Sequence, residues 1–393
     1  MSSRDVFICA AARTPIGAFQ GALQEVPAPR LGATAIGAAL ERSGLGPDDV
    51  QETFFGNVLT AGVGQAPARQ AARAAGIPDR VPATTVGKVC GSGLQSVILG
   101  TRAILLGDAE VVVAGGMESM SQAPYLMPQA RNGLRMGHGK VVDSMIHDGL
   151  WDPYHDWHMG NAGELCARER GFTREAQDEF AVASYRKALA AQESKAFEAE
   201  IVPVTLETKV GKTVVAEDEE LKRVKFVKVS SLRPAFDKNG TITAANASKI
   251  NDGAAALILA SGEVVRARNL TPLARIVGYG GHAQQPEWFT TAPVGAIQAA
   301  CRRTGLTPKD IDLYEINEAF AVVAMVTAKD CDLDPSTVNV RGGAIALGHP
   351  IGASGARILT TLVYALRDLG KKRGLATLCI GGGEAVAVIV ERA

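Results

Sequence analysis

Aromatic residues make up only 5% of the 393 residues, and neither sign of charge prevails, with Lys and Arg together numbering 41 and Asp and Glu 41. Without a net field the chain has no global attraction for nucleic acid or an anionic membrane, so any anionic ligand must be met by a local patch. No uninterrupted apolar run reaches about 18 residues, so the sequence predicts no membrane-spanning helix. The opening Met-Ser-Ser-Arg-Asp-Val-Phe-Ile lacks a signal-peptide pattern. The six cysteines (Cys9, Cys90, Cys166, Cys301, Cys331 and Cys379) show neither CxxC spacing nor a paired framework. That excludes a disulfide scaffold and predicts reduced thiols in a cytoplasmic setting. No cluster has metal-ligand spacing, and none is expected to bind metal. What the chain does have is small apolar residues. With 47% hydrophobic residues and 43 glycines, it has the composition of a closely packed α/β protein large enough for two or three domains.

Order along the chain shows a repeat. A strand over 6–11 precedes a helix over 31–43, the turn Gly44-Leu45-Gly46-Pro47-Asp48 and an extended segment over 52–59. Much later a helix over 294–304 is followed by Gly305-Leu306-Thr307-Pro308-Lys309-Asp310 and the strand leading to Asn317. The offset is 261 residues (305 minus 44). Cys90-Gly91-Ser92-Gly93 and its helix match Gly352-Ala353-Ser354-Gly355 and theirs, over 356–369, 262 residues on (352 minus 90). Strand 110–114 with Gly115-Gly116 likewise matches 375–380 with Gly381-Gly382-Gly383. Three ordered matches predict an internal duplication of a β/α half. Alternating strands and helices imply mostly parallel sheets covered by helices, with sites at the carboxyl ends of strands. Residues 122–249 differ in character, holding His138, His147, His155, His158 and many methionines. They read as an inserted loop domain, after which an apolar strand over 254–260 returns to the first half. The expected domains are therefore 1–121 with 250–272, the insertion 122–249, and 273–393.

One stretch organises the rest: Val86-Gly87-Lys88-Val89-Cys90-Gly91-Ser92-Gly93-Leu94. A β-branched approach runs into a cysteine, then glycines, then a helical run. Unpaired N–H groups and the dipole at a helix start favour a thiolate, so the pattern predicts a lowered Cys90 pKa and a nucleophile. It also fits a buried apolar cysteine, the commoner fate of that residue. The stretch alone leaves both readings open. Three other reactive side chains end strands or sit in glycine-rich loops: Asn317, His349 in Gly348-His349-Pro350, and Cys379 before Gly381. The duplication brings all of them to one face.

Taken together, Val89-Cys90-Gly91-Ser92-Gly93, Gly115-Gly116-Met117-Glu118-Ser119-Met120, Asn317-Glu318-Ala319-Phe320, Gly348-His349-Pro350-Ile351-Gly352 and Cys379-Ile380-Gly381-Gly382-Gly383 resemble the signature segments of the thiolases. The likeness runs through the whole chain and is strongest to the short-chain, acetoacetyl-CoA type, which combines His158-Met159-Gly160, Leu232-Arg233-Pro234-Ala235-Phe236 and Asn246-Ala247-Ser248. The resemblance implies an α/β fold of two duplicated halves, with mixed, mostly parallel five-stranded sheets in α-β-α-β-α layers and an inserted loop domain. It implies reversible Claisen condensation of two acetyl-CoA. Cys90 would be the nucleophile, His349 the base activating it and an oxyanion donor, and Cys379 the acid/base at the methyl carbon. Asn317 would hold a water, and the Cys90 and Gly381 N–H groups would face the tetrahedral oxyanion. No permanent cofactor is implied, with coenzyme A and acetyl-CoA as substrates.

For coenzyme A the resemblance points to His158, Met159, Leu232, Phe236, Ser248, Phe289, Ala319 and Phe320, with Arg223 facing the nucleotide phosphates. The run Lys222-Arg223-Val224-Lys225 also fits an ordinary solvated face. The family likeness further implies a homotetramer of tight dimers, built through residues 125–143. Gly87, Arg341 and Lys249 depart from the family pattern, the last standing where a small residue often follows Asn-Ala-Ser. Leu221 stands where a potassium-activated mitochondrial member has tyrosine, which argues against potassium activation. Phe289 matches a phenylalanine of that same member and hints at tolerance for a 2-methyl branch. Other readings are a degradative thiolase for longer chains, a ketoacyl synthase, and a non-catalytic CoA- or lipid-binding protein. Cys379 opposes the second, and the full set Cys90, His349 and Cys379 opposes the third.

Overall fold

Apolar runs that alternate with small-residue helices fold here into one mixed sheet covered on both faces. The computed structural model describes residues 4–208 and 211–393. Its main strands are β1 (Val6–Arg13), β2 (Glu52–Gly56), β3 (Ala83–Val86), β4 (Val111–Ser119), β5 (Asn251–Ser261), β6 (Ala274–Ala283), β7 (Leu313–Ile316), β8 (Arg373–Ile380) and β9 (Glu384–Arg392). The helices that matter for the site are α1 (Ala28–Ser43), α2 (Ser92–Leu106), α3 (Met159–Arg170), α4 (Arg174–Glu193), α5 (Ala292–Thr304), α6 (Ala321–Asp330) and α7 (Ser354–Asp368).

The ten-stranded sheet runs β7-β8-β9-β6-β1-β5-β4-β2-β3, with the short strand Gly17–Ala18 beside β5. Pairs joined by crossover helices are parallel: β2 with β3, β2 with β4, and β7 with β8. The remaining pairs named in this order are antiparallel. Read outward from the β1–β6 contact (Phe7 opposite Arg275, Ile8 opposite Ala274), the two halves repeat one plan. The order β1-β5-β4-β2-β3 is matched by β6-β9-β8-β7, and a single parallel bridge from Tyr314 to Val338 stands where β3 would be repeated. The duplication read from the sequence is thus a structural repeat.

Burial gives the layers. Every residue of β4 and β5 is buried, as their unbroken apolar runs require of strands covered on both faces. The inner layer is α2 and α7, whose Leu94, Val97, Ile98, Ile358, Leu359 and Leu362 pack with strand residues of both halves in one core. Outside the first half lies α1, and outside the second α5. Small residues make the central contact possible. A Cβ on Gly355 would stand 2.4 Å from the Leu94 backbone nitrogen, and one on Gly93 2.8 Å from that of Ala356.

One apolar segment takes its place in the core here, and one helix boundary shifts. By length and composition, Val89–Leu106 is apolar enough to cross a membrane, with mean hydropathy 1.4 over 18 residues. Gly, Ser, Thr and Arg102 interrupt it, so it is not an unbroken apolar run. In the fold 61% of it is buried as the inner-layer helix. The helix boundaries also shift: α1 begins at Ala28 rather than Leu31, because Pro29 in its first turn has no N–H to leave unpaired.

Between the halves, the insertion carries α3 and α4 and several two-stranded ribbons. One ribbon, Tyr125–Leu126 with Val142–Asp143, bases a loop on which Tyr125, Met127, Leu134, Met136 and Val141 are exposed.

Candidate active site

The nucleophile candidate sits on a strained turn. Between β3 and α2, Val89 holds φ at +43°, a conformation that a β-branched residue adopts only when its surroundings impose it. The turn is closed by Gly91 N–H to the Lys88 carbonyl (2.9 Å) and by the Ser92 hydroxyl, which accepts from Lys88 N–H (2.8 Å) and donates to the Val89 carbonyl (2.7 Å). A side chain on Gly91 would come within 2.4 Å of Ile380 Cδ1, so glycine is needed for β8 to approach.

Cys90 does not have the lowered pKa that its place before a helix predicts. Burial pushes the thiol up to about 11, and the N–H groups of Gly381 and Cys90 itself recover only part of that. The helix N-terminus is real, but desolvation outweighs it, so the resting group is a thiol that needs a base. Cys379, the penultimate residue of β8, is fully buried and raised well above the usual thiol range, first by burial and then by the charge of Cys90. Two neutral thiols therefore lie close enough to sense each other.

His349 is held at both ring nitrogens. Its Nδ1 lies 2.6 Å from the Ser354 hydroxyl, which itself donates to the Pro350 carbonyl at 2.8 Å. With that hydroxyl hydrogen committed, Nδ1 carries the proton and Nε2 keeps its lone pair. Nε2 faces the Asn317 amide nitrogen at 3.5 Å. Burial and Arg357 lower the imidazole to about 3, so it is neutral. Among the described residues the Asn317 Oδ1 is buried without a hydrogen-bond partner, leaving an unused acceptor beside the histidine. The histidine loop is anchored by Asn251 Oδ1, which accepts from His349 N–H at 2.9 Å. It is anchored again by Glu118, which accepts from Gly352 N–H (2.9 Å), Asn57 Nδ2 (2.7 Å) and the N–H groups of Val58 and Leu59 (both 3.1 Å). Ile351 of that loop shares an apolar cluster with Cys90.

Beside the thiols lies an apolar wall. His158 stacks on Phe236 with centroids 4.7 Å apart, Phe236 meets Phe320 edge-on at 5.9 Å, and Phe289 meets Phe320 at 6.3 Å. Met159, Phe289, Ala319 and Phe320 share a buried cluster with Cys379. His158 caps α3, its Nδ1 accepting from Gly160 N–H at 3.1 Å, and burial lowers its pKa. Ser248 N–H donates to the Ala319 carbonyl at 2.9 Å, tying the Asn246–Ser248 turn to this wall. Arg223 and Leu232 stand apart from it. Arg223 is exposed and pairs with Glu220 at 4.0 Å, while the Leu232 carbonyl accepts from Arg174 at 3.0 Å. Among the described residues no group of three or more His, Cys, Asp or Glu side chains is placed to hold a metal ion.

Sequence reasoning missed Ser354, Asn251 and Glu118 as supports. A signal existed for the first: Ser354 is the duplicate of Ser92, and each hydroxyl braces the turn carrying its half's reactive residue.

Comparison with known proteins agrees with this geometry. Residues 6–263 match the family model of the thiolase N-terminal domain, and residues 270–392 that of the C-terminal domain. An acetyl-CoA acetyltransferase of Cupriavidus necator is 54% identical over 390 residues, 99% of each chain. A cytosolic acetyl-CoA acetyltransferase of Gibberella zeae is 50% identical over 388 residues, 98% of each. The crystal structure of a thiolase from Ascaris suum in complex with coenzyme A superposes with a TM-score of 0.94, at 46% identity, covering 99% of this chain and 100% of that one. A partly buried thiol, a fully buried one, a neutral histidine and an apolar wall meet where the duplicated halves join, and by sequence and fold alike this chain belongs to the thiolase family.

Proposed function

We propose that this thiolase is an acetyl-CoA C-acetyltransferase, joining two acetyl-CoA into acetoacetyl-CoA and free coenzyme A and running the reverse thiolysis. The observation that carries the reading is the pair of neutral thiols, Cys379 fully and Cys90 partly buried, near a neutral imidazole whose Nε2 carries no proton and has only the long 3.5 Å contact to the Asn317 amide. His349 Nε2 takes the Cys90 proton, and the thiolate attacks the thioester carbonyl of acetyl-CoA. The tetrahedral oxyanion accepts from the Cys90 and Gly381 N–H groups, the same donors that face the resting sulfur. The departing CoA thiolate takes the Cys379 proton and leaves as the thiol. A second acetyl-CoA then loses a methyl proton to the Cys379 thiolate. Its enolate oxygen is met by the His349 imidazolium and by a water on Asn317. The carbon attacks acetyl-Cys90, and Cys90 leaves as a thiolate that regains its proton from His349. Both thiols and the imidazole end as they began.

The pantetheine arm would lie along His158, Met159, Phe236, Ser248, Phe289, Ala319 and Phe320, with Leu232 nearer the nucleotide and Arg223 toward its phosphates. The domain division 1–121 with 250–272, 122–249 and 273–393, the cytoplasmic setting and a homotetramer through loop 125–143 belong to the same proposal. Steady-state kinetics test it: parallel double-reciprocal lines for acetoacetyl-CoA and coenzyme A are expected, lost in Cys90→Ala. Intersecting lines, or full activity in that variant, would refute it. Comparing acetoacetyl-CoA with long-chain and 2-methyl 3-ketoacyl-CoAs fixes the acyl range.

A further inference from the structure

Lys249 is a partly buried cation next to the apolar wall. Its Nζ donates to the Ala247 carbonyl at 2.8 Å and lies 5.8 Å from the centre of the Tyr185 ring on α4. The charged groups facing it are Glu220, from the turn 220–222, and Glu318, from the segment after β7. Arg223 stands on the outer side of Glu220. Each carboxylate belongs to a string of contacts that ends at the site. Glu220 accepts from Asn251 Nδ2 at 3.3 Å, and Asn251 Oδ1 holds His349 N–H. Glu318 precedes Ala319 and Phe320, and it accepts from Ser184, Asn339 and Ile345 N–H. Ala247, whose carbonyl the ammonium takes, pairs with Phe320 in an antiparallel bridge, and Ala321 N–H donates to the Asn246 carbonyl.

We propose that Lys249 is a positioning residue: its ammonium is a built-in cation that ties the Asn246–Ser248 turn, the Glu318–Phe320 segment and, through Glu220 and Asn251, the His349 loop into one geometry. The inference rests on the acetyltransferase reading above. A small residue in place of the lysine would leave a hole between two buried carboxylates and a carbonyl. That hole matches a small monovalent cation in charge and acceptors. Burial lowers the ammonium while Glu220 and Glu318 raise it, and the balance leaves it at about 8. The charge is therefore present below that pH and lost above it, giving kcat/KM an alkaline limb.

The test uses the full chain. In Lys249→Met, similar in length but uncharged, kcat/KM for acetoacetyl-CoA is expected to fall by about 10- to 100-fold, the size a small misplacement at a reacting centre produces. Lys249→Ala is expected to lose as much, to recover with methylammonium chloride, and not to recover with tetramethylammonium chloride at the same ionic strength. Its melting temperature should rise with methylammonium as well, a readout that needs no activity. Glu220→Gln removes one facing charge, so the alkaline limb should move down by about one pH unit. Parental activity in Lys249→Met, no response of Lys249→Ala to methylammonium, or an unmoved limb in Glu220→Gln would overturn the proposal. The parent enzyme assayed alongside separates this from failure of the acetyltransferase reading, which an inactive parent would show.

Discussion

His349 stays neutral in the folded protein at a pH where a free imidazole is already charged, and this has a measurable cost. Its pKa falls from 6.5 to about 3 on burial. Between those values the unfolded chain binds a proton that the folded chain refuses. Stability must therefore fall as pH drops below 6.5, by up to about 1.4 kcal/mol per pH unit from this one group. Denaturant midpoints for the parent and His349→Asn, measured from pH 7 to pH 4, are expected to converge or cross on the acid side, with the shallower slope in the variant. Equal slopes would contradict a neutral buried histidine. At this scale the sequence was informative about identity and misleading about charge. Cys90, Cys379, Asn317 and His349 are all legible from their turns. The raised Cys90 thiol is not, because a helix start is a local feature whereas desolvation is set by everything that packs over it. Val89 was equally hidden, since no residue type announces that it will be forced to positive φ.

Elements place these side chains, and the contact of α2 with α7 does most of the placing. α2 begins two residues after Cys90, and α7 begins with Ser354, the residue that holds His349. The helices touch through Gly93 and Gly355, where a methyl group on Gly355 would lie 2.4 Å from the Leu94 nitrogen. Gly355→Ala is expected to cost about 1–3 kcal/mol in urea unfolding, as overpacking does, and to slow acylation of Cys90 as the two turns are pushed apart. Parental stability and rate together would show that the interhelical spacing is not limiting. The helices were legible because their apolar period is strong, and the sheet plan because the two halves repeat. The short ribbons of the insertion were not, since two-residue strands leave no periodicity to read. The aromatic wall is an intermediate case: His158, Phe236, Phe289 and Phe320 come from four distant segments, and only the family likeness joined them.

Across the whole molecule, a buried ionic network ties the insertion to both halves. Arg13 of β1 is fully buried and donates to Glu200 at 2.7 Å and to Asp218 at 2.8 and 2.9 Å. Glu200 also faces Arg341 at 3.8 Å and accepts from Thr361 on α7 at 3.1 Å. Arg341, one departure from the family pattern, thus joins the loop before His349 to the insertion through Glu200 and the Ala196 carbonyl. Removing one member leaves unpaired buried charge, so Arg13→Met is expected to lose about 3–5 kcal/mol, read from the urea midpoint. A loss within the range of a surface substitution would contradict the clamp. Nothing in the sequence predicted this network, because its members are 187 and 205 residues apart.

The central proposal is acyl transfer through Cys90, and one measurement tests it directly. Cys379→Ser, in which the second thiol is replaced by a far weaker base, is exposed briefly to acetyl-CoA, and intact mass is followed by peptide mapping. The expected result is one acetyl group on the peptide carrying Cys90, formed more slowly than in the parent but accumulating because condensation is blocked. Folded protein that remains unmodified, or an acetyl group mapped to any other residue, would contradict the account.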